Sequence, residues 1–402
     1  MFGDPLLSGG VGLTEVLIVL FKVLLTFTFL MVSVLFMVWF ERKLISDMQN
    51  RIGPNQAGPW GLLQTLADGL KLFFKEDLIP DRADRVVFKL APFLALVPAF
   101  VTFAVVPIGG NFVENDGVVS WFGQDTYFQL ADPPVGILLV LAMSSIGVYG
   151  VMLAGWSSGS KYPLLGSVRA TAQVISYEAA LGLSVVSVVI VSGSLSTHDI
   201  VAVQAGSGFG GFLPNWNIVV TGVVPFVIFL IAGTAELNRP PFDLVEAEQE
   251  LVGGFHTEYS SMRFAMFFLA EFMNTVTMSA IIVTLFLGGP AGPIFGPAWL
   301  QGLLPVVWFF AKLFVFLFVF VWFRATLPRL RYDQLMDLGW KVLIPIALGW
   351  LLLLVGIQVG RDQDWNLALV IAVAVAVMAV ASTFIGAALR QAREHRYAEE
   401  LS

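Results

Sequence analysis

Some ionisable residues lie deep inside long apolar runs of the sequence or at the end of one, where a bilayer would surround them. Glu178, Glu271 and Lys312 stand well within such runs, and Glu236 closes another. A carboxylate at the centre of a bilayer costs roughly 2.5–3.5 kcal/mol on insertion scales, so none of these side chains is expected to face lipid. We expect them to face the interior of a helix bundle. Both static ion pairs between helices and proton exchange through water fit this pattern.

Carboxylates are concentrated in the stretch 236–258, where the nearby bases are only Arg239 and Arg263. The acids of this stretch are Glu236, Asp243, Glu246, Glu248, Glu250 and Glu258. Carboxylates crowded together in low dielectric cannot all stay ionised, which favours a proton relay over static pairing. Asp243 and Glu246 also match a helix capping box, so capping is an alternative role for these two residues.

Nine apolar runs could cross a bilayer, which takes about 20 mostly apolar residues. They cover 12–40, 86–107, 134–155, 171–192, 217–235, 264–288, 302–324, 340–360 and 366–388. The sequence therefore predicts an all-α polytopic membrane protein with about nine transmembrane helices. Pro225 stands in the middle of the fifth run, so we expect a kinked or broken helix there. Residues 61–75 are too short and too charged to span, and their apolar stripe predicts an amphipathic interfacial helix.

The distribution of Lys and Arg predicts the orientation of these helices. With the N-terminus outside, the inner segments hold every basic residue except Lys22, Lys312 and Arg361. Cytoplasmic loops carry such an excess, so the N-terminus is expected outside and the C-terminus inside. The outer loops are rich in Gly, Ser and Asn and are expected to be chemically plain. A local function is therefore expected at the inner face, and the sequence leaves the role of Lys22 open.

The composition restricts the chemistry that this chain can perform by itself. Of its 402 residues 57% are hydrophobic and 13% charged, against about 25% charged in soluble domains. The absence of Cys excludes disulfides, thiolate-bound zinc and any iron–sulfur cluster held by this chain. His198, His256 and His395 are too far apart in sequence to suggest a metal site. The net charge of -7 argues against nucleic acid, and no cleavable signal peptide is evident.

Several motifs occur in order along the inner segments of this topology. They are Glu41-Arg42-Lys43, Arg51-Ile-Gly-Pro-Asn55, Gly61–Glu76, Gly155–Tyr162, Ser176-Tyr177-Glu178, Ala235–Val252, Glu258-Tyr259, Glu271 and Trp322–Met336. Together they resemble the quinone-site membrane subunit of respiratory complex I, the proton-pumping NADH:quinone oxidoreductase, over about 40–345. Two positions depart from the family pattern: Val245 stands where Pro is usual, and Gly159 where Asn is usual.

The resemblance implies roles for individual residues. Residues 1–360 would form an eight-helix core, and 361–402 would add a further transmembrane helix and a basic cytoplasmic tail. The proton path would use Glu178, Glu236, Asp243, Glu246, Glu248, Glu250 and Glu271, to which we add Lys312 for its place inside the seventh run. The quinone chamber would use Glu41, Arg42, Arg51 and Asp68, with Arg239 and Phe242 nearby.

The function that the resemblance implies is coupling of quinone reduction to proton translocation in a bacterial cytoplasmic (inner) membrane. Quinone, either ubiquinone or menaquinone, would be the substrate. NAD, FMN and iron–sulfur clusters would lie in partner subunits, which would include iron–sulfur and quinone-site subunits of the peripheral arm and antiporter-like membrane subunits. Lipid and quinone would be the remaining partners, with no nucleic acid and no metal site. A stand-alone cation/proton antiporter, the equivalent subunit of a membrane-bound hydrogenase and a non-catalytic scaffold are the alternatives.

Overall fold

The structure, a computed structural model, describes residues 3–7, 10, 12–112, 116–206, 215–243 and 252–366, with 369, 370, 372, 373, 376 and 383. Its helices are α1 (Leu13–Met48), α2 (Gln64–Phe74), α3 (Arg85–Phe103), α4 (Gly136–Ser157), α5 (Lys161–Ser192), α6 (Thr197–Ala205), α7 (Asn217–Val220), α8 (Val223–Glu236), α9 (Ser261–Phe286), α10 (Ala298–Thr326), α11 (Tyr332–Leu338) and α12 (Ile344–Asp362). Strands β1 (Val118–Trp121) and β2 (Gln124–Tyr127) form a hairpin between α3 and α4. Short 3-10 turns occur at Pro5–Leu7, Pro59–Gly61 and Gly254–His256.

The all-α polytopic architecture predicted from the sequence is confirmed. Within the described residues, seven helical segments are long and apolar enough to cross a membrane: α1, α3, α4, α5, α9, α10 and the continuous segment Tyr332–Asp362. Helix α8 is apolar but shorter. The ninth predicted span, 366–388, falls largely outside the described residues. The orientation of the termini stays a prediction.

The two ends of the bundle differ in chemistry. We call the end where α1 and α4 finish and α3 and α5 begin the basic end, because the basic segments 41–89 and 324–341 meet there. The opposite end, which carries β1 and β2, is the hairpin end. The positive-inside rule predicts that the basic end faces the cytoplasm.

Helices α3, α4, α5, α8 and α9 pack together around the centre of the bundle. The crossing of α3 and α4 depends on a glycine, since a Cβ at Gly150 would stand 2.6 Å from the backbone nitrogen of Ala95. Small residues of this kind let membrane helices approach closely. Helix α9 is the most enclosed of the candidate spans, with 72% of its apolar window buried inside the chain.

The fifth apolar run is broken, as predicted, but not at Pro225. The break lies at Gly222, whose φ of 82° separates α7 from α8. Pro225 falls in the first turn of α8, where its missing N–H has no helical partner to lose. Its carbonyl accepts a hydrogen bond of 2.6 Å from Ser184 on α5, which ties the start of α8 to a neighbour.

Helix α8 ends inside the bundle and not at its basic end, although the run 217–235 was predicted to cross the bilayer. Its last residue, Glu236, accepts a hydrogen bond from Ser144, which lies near the middle of α4. The irregular backbone that follows is also enclosed, because Leu237, Arg239 and Phe242 are all buried. Irregular backbone at this depth is tolerated where protein surrounds it or where it lines a hydrated cavity.

The helix predicted at 61–75 is present as α2, preceded by the turn Pro59–Gly61, and its place at the membrane interface stays a prediction. No residue of α2 is fully buried, and its apolar side chains Leu66, Leu70 and Phe73 are exposed at the basic end. The end of α2 is held against the start of α9, where Ser261 donates a hydrogen bond of 3.1 Å to the Leu72 carbonyl. This helix can therefore border a cavity on one side and lipid or another chain on the other.

The hairpin end is not chemically plain, and the expectation for the outer loops was wrong. The buried ammonium of Lys22 on α1 lies 2.6 Å from Asp4 and 2.6 Å from the hydroxyl of Thr126 on β2. Nearby, His198 stacks on Tyr127 with ring centroids 3.8 Å apart. Burial lowers the pKa of His198 and raises that of Asp132 beside it. Lys22 therefore joins the N-terminal segment to the hairpin.

Candidate functional site

A cavity of about 140 Å³ lies between α3, α4, α5 and α9. Its polar lining consists of Thr102, Ser144, Thr171, Glu236, Asn238, His256, Glu271, Asn274 and Thr277. The hydroxyls of Thr171 and Thr277 are buried, and neither has a hydrogen-bond partner among the described residues. A polar cavity of this size can hold several water molecules, which would satisfy such groups. We call it the acidic cavity.

Two of the predicted carboxylates are held by adjacent serines of α4. Ser144 donates a hydrogen bond to Glu236, and Ser145 donates one to Glu178 of α5. Both carboxylates are half-buried, and they lie close enough to repel each other electrostatically. Each carboxylate is thus hydrogen-bonded without being locked to a cation by these contacts, an arrangement suited to groups that exchange protons.

The third carboxylate, Glu271, belongs to a network of charges. Its Oε1 lies 3.2 Å from Nη2 of Arg239, and Nη1 of Arg239 also donates a hydrogen bond to Glu41. Glu41 accepts a second hydrogen bond from Arg324 at the end of α10. Arg239 is 1% exposed, and its guanidinium lies 4.5 Å from the ring centroid of Phe272. Arg239 is therefore shared between Glu41 and Glu271, and Glu41 also contacts Arg324. These charges form a network and not isolated one-to-one pairs.

A second, larger cavity of about 480 Å³ opens at the basic end, on the other side of this network. Its charged lining comes from Glu41, Arg42, Arg51 and Arg324, and the remaining lining is mostly apolar. We call it the chamber. Charged groups fixed in a largely apolar wall are typical of sites for small organic ligands with a polar head.

Three of the residues predicted for quinone binding line the chamber: Glu41, Arg42 and Arg51. Asp68 lies beside them, 2.6 Å from Arg42. Burial alone would raise the pKa of Asp68, but the hydrogen bond and charge of Arg42, helped by Gln64 and Lys71, lower it below its usual value. Asp68 therefore serves as the fixed counter-charge of Arg42.

The other two residues predicted for the chamber stand behind its wall. Arg239 contacts Glu41 from the side of the acidic cavity, as described above. Phe242 is buried against Tyr177 of α5, with ring centroids 5.2 Å apart. The structure thus gives Phe242 a packing contact in the core.

Lys312 lies apart from the carboxylates with which it was grouped. Its ammonium donates hydrogen bonds of 2.7–2.9 Å to the carbonyls of Leu287, Gly289 and Ala291, just after α9. Glu271 precedes Leu287 by 16 residues, which is roughly 24 Å along a helix. Three carbonyls can satisfy all three donors of a lysine, so the contacts of Lys312 are those of a helix cap.

The acids after Pro241 are only partly described. Asp243 is buried and lies 2.9 Å from Nη2 of Arg329, next to a backbone hydrogen bond from Leu330 to the Pro241 carbonyl. Glu246, Glu248 and Glu250 lie outside the described residues, as does the capping box of Asp243 with Glu246. Their roles stay predictions.

Several residues of the site were not assigned a role from the sequence. Arg324 stood within a quoted motif, but nothing in its spacing showed that it would reach Glu41. Ser144 and Ser145 were detectable as adjacent hydroxyls in the middle of an apolar run, a pattern that polar contacts inside a membrane can explain. Phe268 was not detectable, because its importance depends on the two cavities that it separates.

Comparison with known proteins assigns this architecture to a family. A family described as NADH dehydrogenase matches residues 21–355. The NADH-quinone oxidoreductase H subunit of Frankia alni is 53% identical over 364 residues, covering 90% of this chain and 77% of that protein. The proteins of the same name from Frankia casuarinae and Streptomyces avermitilis are 56% and 50% identical, over 83% and 87% of this chain and 71% and 75% of theirs.

Proposed function

The chain belongs to the NADH dehydrogenase family, among the H subunits of NADH-quinone oxidoreductase, and on that premise we propose that it couples quinone reduction to proton translocation. The chamber at the basic end would receive the quinone head group together with a partner subunit. The acidic cavity would carry the protons. The enzyme to which the subunit belongs is an oxidoreductase of respiratory complex I.

The observation that carries the proposal is the charge network between the two cavities. Glu41 lines the chamber, Glu271 lines the acidic cavity, and the buried Arg239 contacts both. A change of charge at the chamber wall therefore lies one guanidinium away from a carboxylate of the acidic cavity. In a buried site such a change acts over short distance with little screening.

We propose the following order of events. In the chamber, quinone would take up two electrons from a partner's iron–sulfur cluster and two protons as it becomes quinol. The transient negative charge near Arg42 and Arg51 alters the balance of the Glu41–Arg239–Glu271 network. Glu271 and Glu236 then exchange protons through the acidic cavity, and Glu178 receives them from Glu236 across the two α4 serines.

The proposed partners follow from this chemistry. This chain contains no Cys, so it cannot ligate an iron–sulfur cluster through thiolates, and the electron donor must be another subunit. NAD and FMN would also be bound by partner subunits of the peripheral arm, and antiporter-like membrane subunits would receive the protons. The names of the relatives favour this assignment over a stand-alone antiporter or a hydrogenase subunit. The proposed location is the bacterial cytoplasmic membrane.

The test is substitution of the two serine-bound carboxylates in the assembled complex. Glu236→Gln and Glu178→Gln keep the hydrogen bond to serine but remove the titrating group. Both should lower the number of protons translocated per electron passed to quinone. Asp364→Asn is the matched control, because Asp364 is an exposed carboxylate at a left-handed backbone position (φ 53°) that asparagine tolerates. Unaltered translocation in both glutamate variants would rule out the proposed path.

A further inference from the structure

The wall between the chamber and the acidic cavity has one side chain in common. Among the described residues, Phe268 is the residue that lines both cavities. Phe264, four positions earlier on α9, lines the acidic cavity alone, and Phe272, four positions later, lines the chamber alone. Residues four apart lie on the same face of a helix, so these rings form a row that crosses from one cavity to the other.

The three rings are in contact. The centroids of Phe264 and Phe268 are 6.2 Å apart with nearly parallel planes, and those of Phe268 and Phe272 are 4.7 Å apart. Phe272 in turn lies under the guanidinium of Arg239. The two cavities are therefore joined by charged side chains and separated at Phe268, whose ring is flanked by those of Phe264 and Phe272.

We propose that Phe268 is a partition: its ring keeps the chamber and the acidic cavity as separate volumes, so that charge is sensed across the wall while water and protons do not cross it. This inference rests on the proposed function only in its consequence for pumping. Proton exchange needs water or groups that can release and take up a proton, which the arginine between Glu41 and Glu271 cannot do. The field of a charge acts through an apolar wall and is screened less there than in water.

The separation matters because both compartments handle protons. If the chamber and the acidic cavity were one body of water, protons consumed at the quinone could be drawn directly from Glu236 and Glu271. The charge change in the chamber would also be screened before it reached Glu271. Either effect would let electron transfer proceed with fewer protons moved.

A labelling experiment in the assembled complex tests the partition directly. The chain has no native Cys, so Thr277→Cys places a single thiol at the far end of the acidic cavity, with a side chain of nearly the same size. A small cationic methanethiosulfonate is then added, and the labelled fraction of this chain is measured by mass. Phe268→Ala should raise the labelling rate, and a tight-binding quinone analogue in the chamber should abolish the increase.

Phe264→Ala and Phe272→Ala are the matched controls, since each enlarges only one of the two cavities and should leave the labelling rate near that of Thr277→Cys alone. If Phe268→Ala does not assemble, Phe268→Leu serves instead, with a smaller increase expected. An unchanged rate in the Phe268 variants, or an equal increase in both controls, overturns the partition.

The functional arm is the ratio of protons translocated to electrons transferred, which should fall in Phe268→Ala whatever the effect on quinone reduction. Labelling does not depend on pumping, so the two ideas can fail separately. Increased labelling with an unchanged proton-to-electron ratio would refute the role of Phe268 in coupling but would still support the partition between the two cavities. Unaltered pumping in the Glu236 and Glu178 variants would refute the proton path and leave the labelling result intact.

Discussion

Replacement of Arg239 by Gln is the most direct perturbation of the network between the chamber and the acidic cavity. Arg239 is 1% exposed and lies 3.2 Å from Glu271, so two unit charges there attract by about 5 kcal/mol at an effective dielectric of about 20. Removing one member of a buried pair costs about 3–5 kcal/mol. The side chain of Glu271 is 27% exposed, towards the cavity, so we expect the lower value.

The two carboxylates that contact Arg239 are affected differently by its loss. Glu41 keeps Arg324 in the Arg239→Gln variant, whereas Glu271 loses the contact that the structure gives it. Arg239→Gln should therefore lower the amount and thermal stability of the assembled complex, measured on native gels and by thermal inactivation. Adding Glu271→Gln should restore most of that stability, because the unpaired carboxylate is gone, but it should not restore coupling.

Arg239→Lys separates charge from geometry. A lysine keeps the positive charge but presents a single ammonium in place of the planar fork that reaches both carboxylates. This variant should assemble and translocate fewer protons per electron. The reasoning would be refuted if Arg239→Gln were as stable as the wild type, or if Glu271→Gln failed to recover any stability in the double variant.

Two further residues give predictions. Lys312→Met should lower the thermal stability of the complex without altering the proton-to-electron ratio, because it removes three hydrogen bonds to carbonyls after α9. A lowered proton-to-electron ratio at normal thermal stability would instead support the predicted place of Lys312 in the proton path. Burial lowers the pKa of His256 to about 4, so the folded turn Gly254–His256 favours neutral imidazole and loses stability as pH falls below about 6.5, by about 2 kcal/mol at pH 5. His256→Asn should remove this acid sensitivity, measured by proteolysis at this turn at pH 5 and pH 7, and an equally acid-sensitive variant would contradict the assignment.

The apolar runs predicted most of the helices because length and hydropathy are local properties. Helices α3 and α4 match their runs within a few residues, and the same holds for α2, whereas α1 continues eight residues beyond the end of its run. The polar residues singled out in those runs are half-buried in the structure, and whether they avoid lipid stays a prediction. These conclusions need only the free energy of placing one side chain or one segment in hydrocarbon.

The depth at which α8 ends could not be predicted in that way. The run 217–235 has the composition of a full span, and nothing local distinguishes a helix that crosses the bilayer from one that stops beside Ser144. The buried turn after Glu236 is stabilised by partners far along the chain, such as Gln173, which donates a hydrogen bond of 2.8 Å to the Ala235 carbonyl. Only the packed bundle supplies those partners.

The hairpin end was misjudged for a related reason. Asp4, Lys22 and Thr126 belong to three separate segments, and each alone reads as a surface or anchoring residue. Once the segments meet, the ammonium is satisfied by a carboxylate and a hydroxyl in a buried position. Spacing along the sequence carries no information about such a contact.

The same distinction explains which part of the candidate site the sequence could supply. It supplied the titratable groups, because an acid in an apolar run is conspicuous, but not their grouping. Glu41 and Glu271 are 230 positions apart, and they belong to one charge network because the irregular segment after α8 carries Arg239 between them. That segment can enter the bundle because α8 stops at mid-depth. The charge network therefore depends on the early end of α8. If the fifth span were a continuous helix, Arg239 would not connect the chamber with the acidic cavity.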